Sequence, residues 1–349
     1  MELVLLPEEW SIDSFRNMAL QPSVISAMVL IGAAGLDYWI GDPWGWLHPV
    51  QVMGWAIQQY SRWAFNFKSA IVQRWAGVGL AIGLVSLSGF AGWLVVTGAT
   101  WLHPIFGVIT AIVLLASCFA GRSLRRAAEN VLAPLQAGDL ETARSRLSLY
   151  VGRDTADLDE AEILRAVLET VTENAVDGVL APLFYAIVGS LLPIALQFPE
   201  AGIGAVPLAL AYKAVSTLDS MVGYREAPYQ DLGWCSARSE DGLTYIPCRL
   251  TVLTLALLSG HLQKVWQICR RDAPQDPSPN AGWSECAYAV VLGVQVGGKN
   301  QYRGVVKHKP LLGEPIHPIT PDRIRQAMNW TRRMFLLWLA IGLAAIPLR

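Results

Sequence analysis

Apolar residues along this chain come in long unbroken blocks rather than in the spaced stripes of a soluble helix. From Trp75 to Gly121 there is no Asp, Glu, Lys or Arg, and the runs 17–36 and 178–199 are also free of them. A bilayer core takes roughly 20 apolar residues per helix, so 75–121 is long enough for two spans joined by a short turn. The pattern predicts crossings at about 22–40, 75–97, 100–121, 178–199, 201–218 and 332–348. The stretch 250–263 is apolar but short for a full crossing. Pro193, Pro199 and Pro207 punctuate the fourth and fifth spans and predict kinked or broken helices there.

Between the spans lie polar segments at 41–74, 122–177, 219–249 and 264–331. Segment 41–74 carries Arg62, Lys68 and Arg74 against one acid, Asp42. Segment 264–331 carries nine Lys and Arg, among them Lys264, Arg270, Arg271, Lys299, Lys307 and Lys309. Excess basic residues mark cytosolic loops. Placing both segments there requires 250–263 to re-enter or pack inside rather than cross. The reading is all-α: a polytopic helical membrane protein with about six crossings, a short re-entrant or packed helix and helical cytosolic segments. It is one integral membrane domain over 1–349, in the cell membrane, with its active face in the cytosol.

Composition fits that frame. The 349 residues are 53% hydrophobic and 16% charged, against about 25% charged in an average soluble domain. A net charge of −1 gives no field that would draw nucleic acid. Five scattered cysteines without a CxxC indicate neither a disulfide frame nor a zinc site. Residues 1–16 include Glu2, Glu8, Glu9 and Asp13, unlike the basic start of a signal peptide.

Candidate chemistry concentrates in four places. From Asp159 onward the charges Glu162, Arg165, Glu169, Glu173 and Asp177 fall on one helical stripe, with Leu164, Val167, Leu168 and Val171 opposite. Carboxylates four apart repel unless a cation lies between them, so Glu169, Glu173 and Asp177 predict a divalent-metal seat at the membrane edge, while Glu162 reads as solvated. Lys213 and Asp219 interrupt the fifth span. Lys213 either snorkels to the interface or meets a phosphate, and Asp219 is a further metal candidate. The turn after the first span aims Asp42 and His48 at the membrane face. The loop at 270–285 sets Ser278 and Asn280 beside Arg270 and Arg271, which suits either an anion or a simple turn before a helix. There is no GxxxxGK[ST], GxSxG or HExxH.

Seven motifs occur in order: GDPxxWLHPVQxMG at 41–54, GRDTADLDE at 152–160, ETVTENAVDGVLAPLFY at 169–185, AYKAVSTLDSMVGY at 211–224, DLGWCSARSEDGLTYIPCRLT at 231–251, RDAPQDPSPNAGWSE at 271–285 and LGVQVGG at 292–298. Together they resemble the CobD/CbiB family of cobalamin biosynthesis, the adenosylcobinamide-phosphate synthases. The resemblance implies a ligase that joins adenosylcobyric acid to (R)-1-amino-2-propanol O-phosphate through an amide bond. It implies ATP and Mg²⁺ as cofactors and an adenosylcorrinoid as substrate. Its partners would be that corrinoid, the amino-alcohol phosphate and the bilayer, with pathway enzymes or a second copy of the chain possible.

On that reading Arg153, Lys213, Arg238 and Arg271 take phosphates or the substrate carboxylate, with Asn174, Ser278, Asn280 and His48 in the binding set. Asp42, Glu169, Glu173 and Asp177 seat the metal. Glu173 or Asp219 accepts the amine proton. The competing reading is a membrane transporter or envelope sensor of related architecture without ligase activity. It would place its polar groups near the bilayer midplane.

Overall fold

The computed structural model describes residues 21–41, 48–195 and 204–347; Asp42 and Pro199 lie outside them. Its first four helices are α1 (Pro22–Trp39), α2 (Pro49–Ala64), α3 (Ala70–Leu102) and α4 (Pro104–Ala116). Then follow α5 (Gly121–Gln136), α6 (Leu140–Leu147) and α7 (Glu160–Asn174), a π-helical segment at Ala175–Leu180, α8 (Ala181–Ala195), α9 (Ala205–Val222) and α10 (Trp234–Leu258). The chain ends with α11 (Leu262–Asp272), α12 (Ala281–Leu292), strands β1 (Gln295–Tyr302) and β2 (Val305–Gly313), and α13 (Pro321–Ala345).

Five helical stretches are long and apolar enough to cross a membrane: Pro22–Trp39, Ala70–Leu102, Pro104–Gln136, Glu160–Leu192 and Trp234–Leu258. The 33 residues of α3 reach about 50 Å at 1.5 Å per residue, well beyond a hydrocarbon core of about 30 Å. Only 17% of its most apolar window is buried inside the protein. Ile82, Leu87, Phe90 and Leu94 point outward instead, as a lipid-facing helix requires. The α3–α4 corner is made by His103, whose Nδ1 accepts from Ile105 N at 3.2 Å, and by Pro104 at the first helical position.

Three expectations change in detail. The sixth crossing, expected at 332–348, lies in α13, which is not in that apolar set. The fifth span becomes α9, whose Lys213 and Asp219 keep it out of that apolar set. The short helix expected over 250–263 is not a separate element. Residues 250–258 are the last third of the 25-residue α10, and Gly260, at φ +74, ends it. Helix α11 packs back against α10. Asn280 Nδ2 then donates to Asp241 O at 3.0 Å, and Arg249 donates to Pro279 O at 2.9 Å. Residues before and after the apolar stretch therefore meet again.

A β-hairpin was not expected. Its two-residue loop places Arg303 at φ 50 and Gly304 at φ 79, the left-handed pair that tight hairpins require. Asp154 anchors the tip by accepting from Arg303 N at 3.0 Å and Gly304 N at 2.7 Å. At the base Gly297, at φ +93, comes so close to β2 that a Cβ would lie 2.0 Å from Pro310 O. Bonds to a charged acceptor are worth about 1.5–3 kcal/mol. Asp154→Ala is therefore expected to lower stability by about that much and to speed amide hydrogen exchange across 295–313. Unchanged exchange there would show that the tip is held by other contacts.

Candidate functional site

Helix α7 starts with a capping box: Glu162 N donates to Asp159 at 2.8 Å and Asp159 N to Glu162 at 3.0 Å. From that start the acidic stripe splits. From Glu169 to Glu173 the direction drifts by about 40° around a helix of 3.6 residues per turn, and Asp177 falls in the π-helical segment, so the three do not share one direction. Glu169 is buried and turns toward the hairpin. It accepts from Gly297 N at 2.8 Å and Arg165 Nη1 at 3.2 Å, and it pairs with Arg153. Arg153 also donates to Asn300 Oδ1 at 2.9 Å, and Arg165 to Gly297 O at 2.7 Å. Glu169 and Arg153 thus neutralise each other inside the protein, where the sequence reading made them metal and phosphate ligands.

Glu173 and Asp177 turn the other way, into a cavity of about 400 Å³. Asp219 from the last turn of α9 enters it, as do Glu240 and Asp241 from α10 and Asp276, Ser278 and Asn280 from the loop before α12. The hairpin closes the opposite wall with Tyr302, Lys307, His308 and Lys309. Three of the four polar segments therefore converge on one space, and the site lies at helix ends and loops.

Lys309 is the principal cation there. Its Nζ reaches Glu285 Oε1 at 3.1 Å and Oε2 at 3.4 Å, and it is half-buried while Glu285 is fully enclosed. Burial works against its charge, but Glu285, Glu173, Glu169 and Asp276 outweigh that and hold the lysine above its ordinary pKa. It is a fixed positive charge, not a base. Lys307 pairs with Glu226 at the rim, where Arg225 donates to Pro277 O at 2.7 Å.

The loop 276–280 is tightly built. Ser278 Oγ accepts from Asn280 N at 3.3 Å and Ala281 N at 3.1 Å. Arg249 lies between the rings of Tyr245 and Trp283, 4.3 and 4.6 Å from their centroids, and holds the loop by its bond to Pro279. Asn280 is buried and serves mainly as a strut to Asp241.

Other predicted residues lie apart. Asn174 donates to Thr170 O of its own helix at 2.9 Å. Arg238 sits 3.7 Å from Asp241 on the outer side, and Arg271 is exposed and bonded to Asp272 at 2.6 Å. None of these three lines the cavity. Lys213 is half-buried in α9, near enough to Asp177 to act on it electrostatically. His48 caps α2, accepting from Val50 N at 3.3 Å, and lines a separate apolar cavity of about 830 Å³.

Among the described residues no three Asp, Glu, His or Cys side chains converge as a metal cage. Glu240 Oε1 and Asp276 Oδ2 are nonetheless buried without a hydrogen-bond donor, and both residues line the cavity. Mg²⁺ needs only one or two carboxylates when it brings water and substrate phosphates. Each of these oxygens is a candidate metal contact, and a prebuilt all-protein site is not required.

Lys309, Glu240, Arg249 and Asp276 were not singled out from the sequence. Lys307 and Lys309 share a strand face at i, i+2, and Arg303-Gly304 is a hairpin-turn signal. Reading that turn would have found them.

A profile of the family described as CobD/Cbib protein matches residues 30–331. A Synechocystis sp. protein named "Cobalamin biosynthesis protein CobD" is 51% identical over 94% of this chain and 95% of its own length. A Geobacter metallireducens protein of the same name is 42% identical over 83% of this chain and 87% of its length. One from Salmonella choleraesuis named "Cobalamin biosynthesis protein CbiB" is 40% identical over 88% and 92%. No solved structure matches.

Proposed function

Because the chain belongs to the CobD/Cbib family, we propose that it acts in cobalamin biosynthesis as an acid–amine ligase. It joins a propionate carboxylate of adenosylcobyric acid to the amine of (R)-1-amino-2-propanol O-phosphate, with ATP consumed. The observation that carries this reading is the charge layout of the 400 Å³ cavity. An amino-alcohol phosphate has an ammonium at one end and a phosphate at the other. The cavity offers carboxylates from the helices on one wall and Lys307 and Lys309 from the hairpin on the other.

A carboxylate resists attack until one oxygen is made a leaving group, most simply as an acyl phosphate, from which the attacking amine displaces phosphate. Charge then builds on phosphoryl oxygens, and fixed cations supply most of the acceleration. Lys309 meets that need because its neighbours keep it charged. Mg²⁺, when bound at Glu240 or Asp276, would offset phosphate charge. The attacking amine must be neutral. Glu173 and Asp219 line the cavity and are the groups placed to take its proton. The corrinoid is too large for this space and would lie across its mouth, with only the propionate arm inside. The mouth faces the cytosol on this reading, in line with the basic loops.

The test uses the purified chain in lipid nanodiscs with adenosylcobyric acid, aminopropanol phosphate, Mg²⁺ and ATP. Adenosylcobinamide phosphate should appear by mass, and ADP or AMP tells how the carboxylate is activated. Binding of either substrate without any amide product, in protein shown to be folded, would refute the ligase reading and favour the transporter.

A further inference from the structure

A second cavity, of about 450 Å³, lies between α1, α5, α13 and the π-helical segment. Its two ends differ in chemistry. One is apolar, made by Ile31, Phe335, Leu336 and Leu339. The other holds three arginines: Arg122 and Arg125, one turn apart on α5, and Arg332 on α13. One acid, Asp37, stands with them, so the polar end is net cationic.

The arginine end is organised by Tyr38. Arg122 Nη1 donates to Tyr38 O at 2.7 Å, and the Arg332 guanidinium stacks 4.4 Å from the Tyr38 ring centroid. Arg122 Nε is buried without an acceptor. Guanidinium groups held this way suit a phosphate, which they bind through paired N–H donors.

Position along the helices sets the depth. Tyr38 and the highly exposed Trp39 close the first span, and such aromatics gather at membrane interfaces. On α13 the run from Met334 to Ala345 has no charge, and Arg332 and Arg333 precede it directly. Leu336 and Ile31 are exposed on the outer surface, where acyl chains lie. The cationic end is at headgroup level and the apolar end continues into the hydrocarbon.

We propose that this cavity is a binding site for an anionic glycerophospholipid, with the phosphate among Arg122, Arg125 and Arg332 and an acyl chain along Leu336 and Leu339. A free phosphate would use the arginines and leave the apolar end empty. The continuity of the two ends is what selects a lipid, since basic pockets between membrane helices take acidic headgroups. The site is distinct from the candidate ligase cavity and backs onto it. Asp177 lines one and Val179 the other, with Gly178 O accepting from Ala120 N at 2.9 Å between them.

The experiment is native mass spectrometry of the chain released from nanodiscs containing phosphatidylglycerol and phosphatidylcholine in equal amounts. A net excess of two positive charges at the headgroup gives a preference on the order of tenfold to thirtyfold for phosphatidylglycerol. Equal retention of the two lipids by the unmodified chain overturns the proposal without any variant. In Arg125→Gln/Arg332→Gln the preference should fall to near one, while Arg333→Gln, which stacks on Trp330 outside the cavity, should keep it. Preference persisting in the double variant overturns the assignment to this cavity. Inorganic phosphate at millimolar concentration should not displace the lipid; displacement would make this a soluble-anion site and overturn the lipid.

Discussion

Lys309→Met is expected to reduce kcat/KM for amide formation about 10²–10³-fold, the usual cost of removing one preorganised charge from a transition state. Methionine keeps the length of the stem and removes the charge that faces the carboxylates across the cavity. The substitution also strands Glu285, which is fully enclosed and bonded to the lysine at 3.1 Å. A buried charge left without its partner costs about 3–5 kcal/mol, so activity loss alone would be ambiguous. Lys309→Met/Glu285→Gln separates the effects. The double variant should regain most of the thermal stability lost by the single one, while turnover stays low. Turnover restored along with stability would reduce Lys309 to a strut.

Glu169→Ala is expected to destabilise the protein by about 3–5 kcal/mol. The carboxylate is 1% exposed and holds Arg153, Arg165 and the backbone of Gly297 together. Its loss leaves two arginines with no counter-charge under the hairpin. Glu162→Ala, which removes half of a capping box, should cost only about 1 kcal/mol. Thermal unfolding of the two variants side by side gives the ranking. A Glu169→Ala protein of unchanged stability whose Mg²⁺ dependence was altered would restore Glu169 as a metal ligand.

These two residues show where the sequence was readable. The charge-free runs announced the membrane helices because hydrocarbon tolerates few charges, and that signal is local. The helical stripe at 159–177 was readable for the same reason. The fate of each acid on it was not. Glu169 and Glu173 look alike four residues apart, and only the position of the hairpin, more than a hundred residues later, makes one a salt-bridge centre and the other a cavity wall. The hairpin itself was hidden by Gly297 and Gly298 and by a bulge between Val296 and Gly298 that breaks the alternation of its first strand. The separate short helix expected over 250–263 failed for a related reason. Hydropathy falls where Glu240 and Asp241 face the cavity, yet the backbone stays helical through them to Leu258.

The hairpin also sets when the site can exist during synthesis. Its second strand holds Lys307 and Lys309, while the carboxylates opposite begin at Glu173. A nascent chain can place its first helices in the bilayer long before residue 309 leaves the ribosome, since N-terminal parts settle first. Until then the acidic wall has no cationic counterpart and Glu169 has no strand to hold. A chain stalled or cut between Leu258 and residue 295 would carry all five apolar stretches and lack the cationic wall of the cavity.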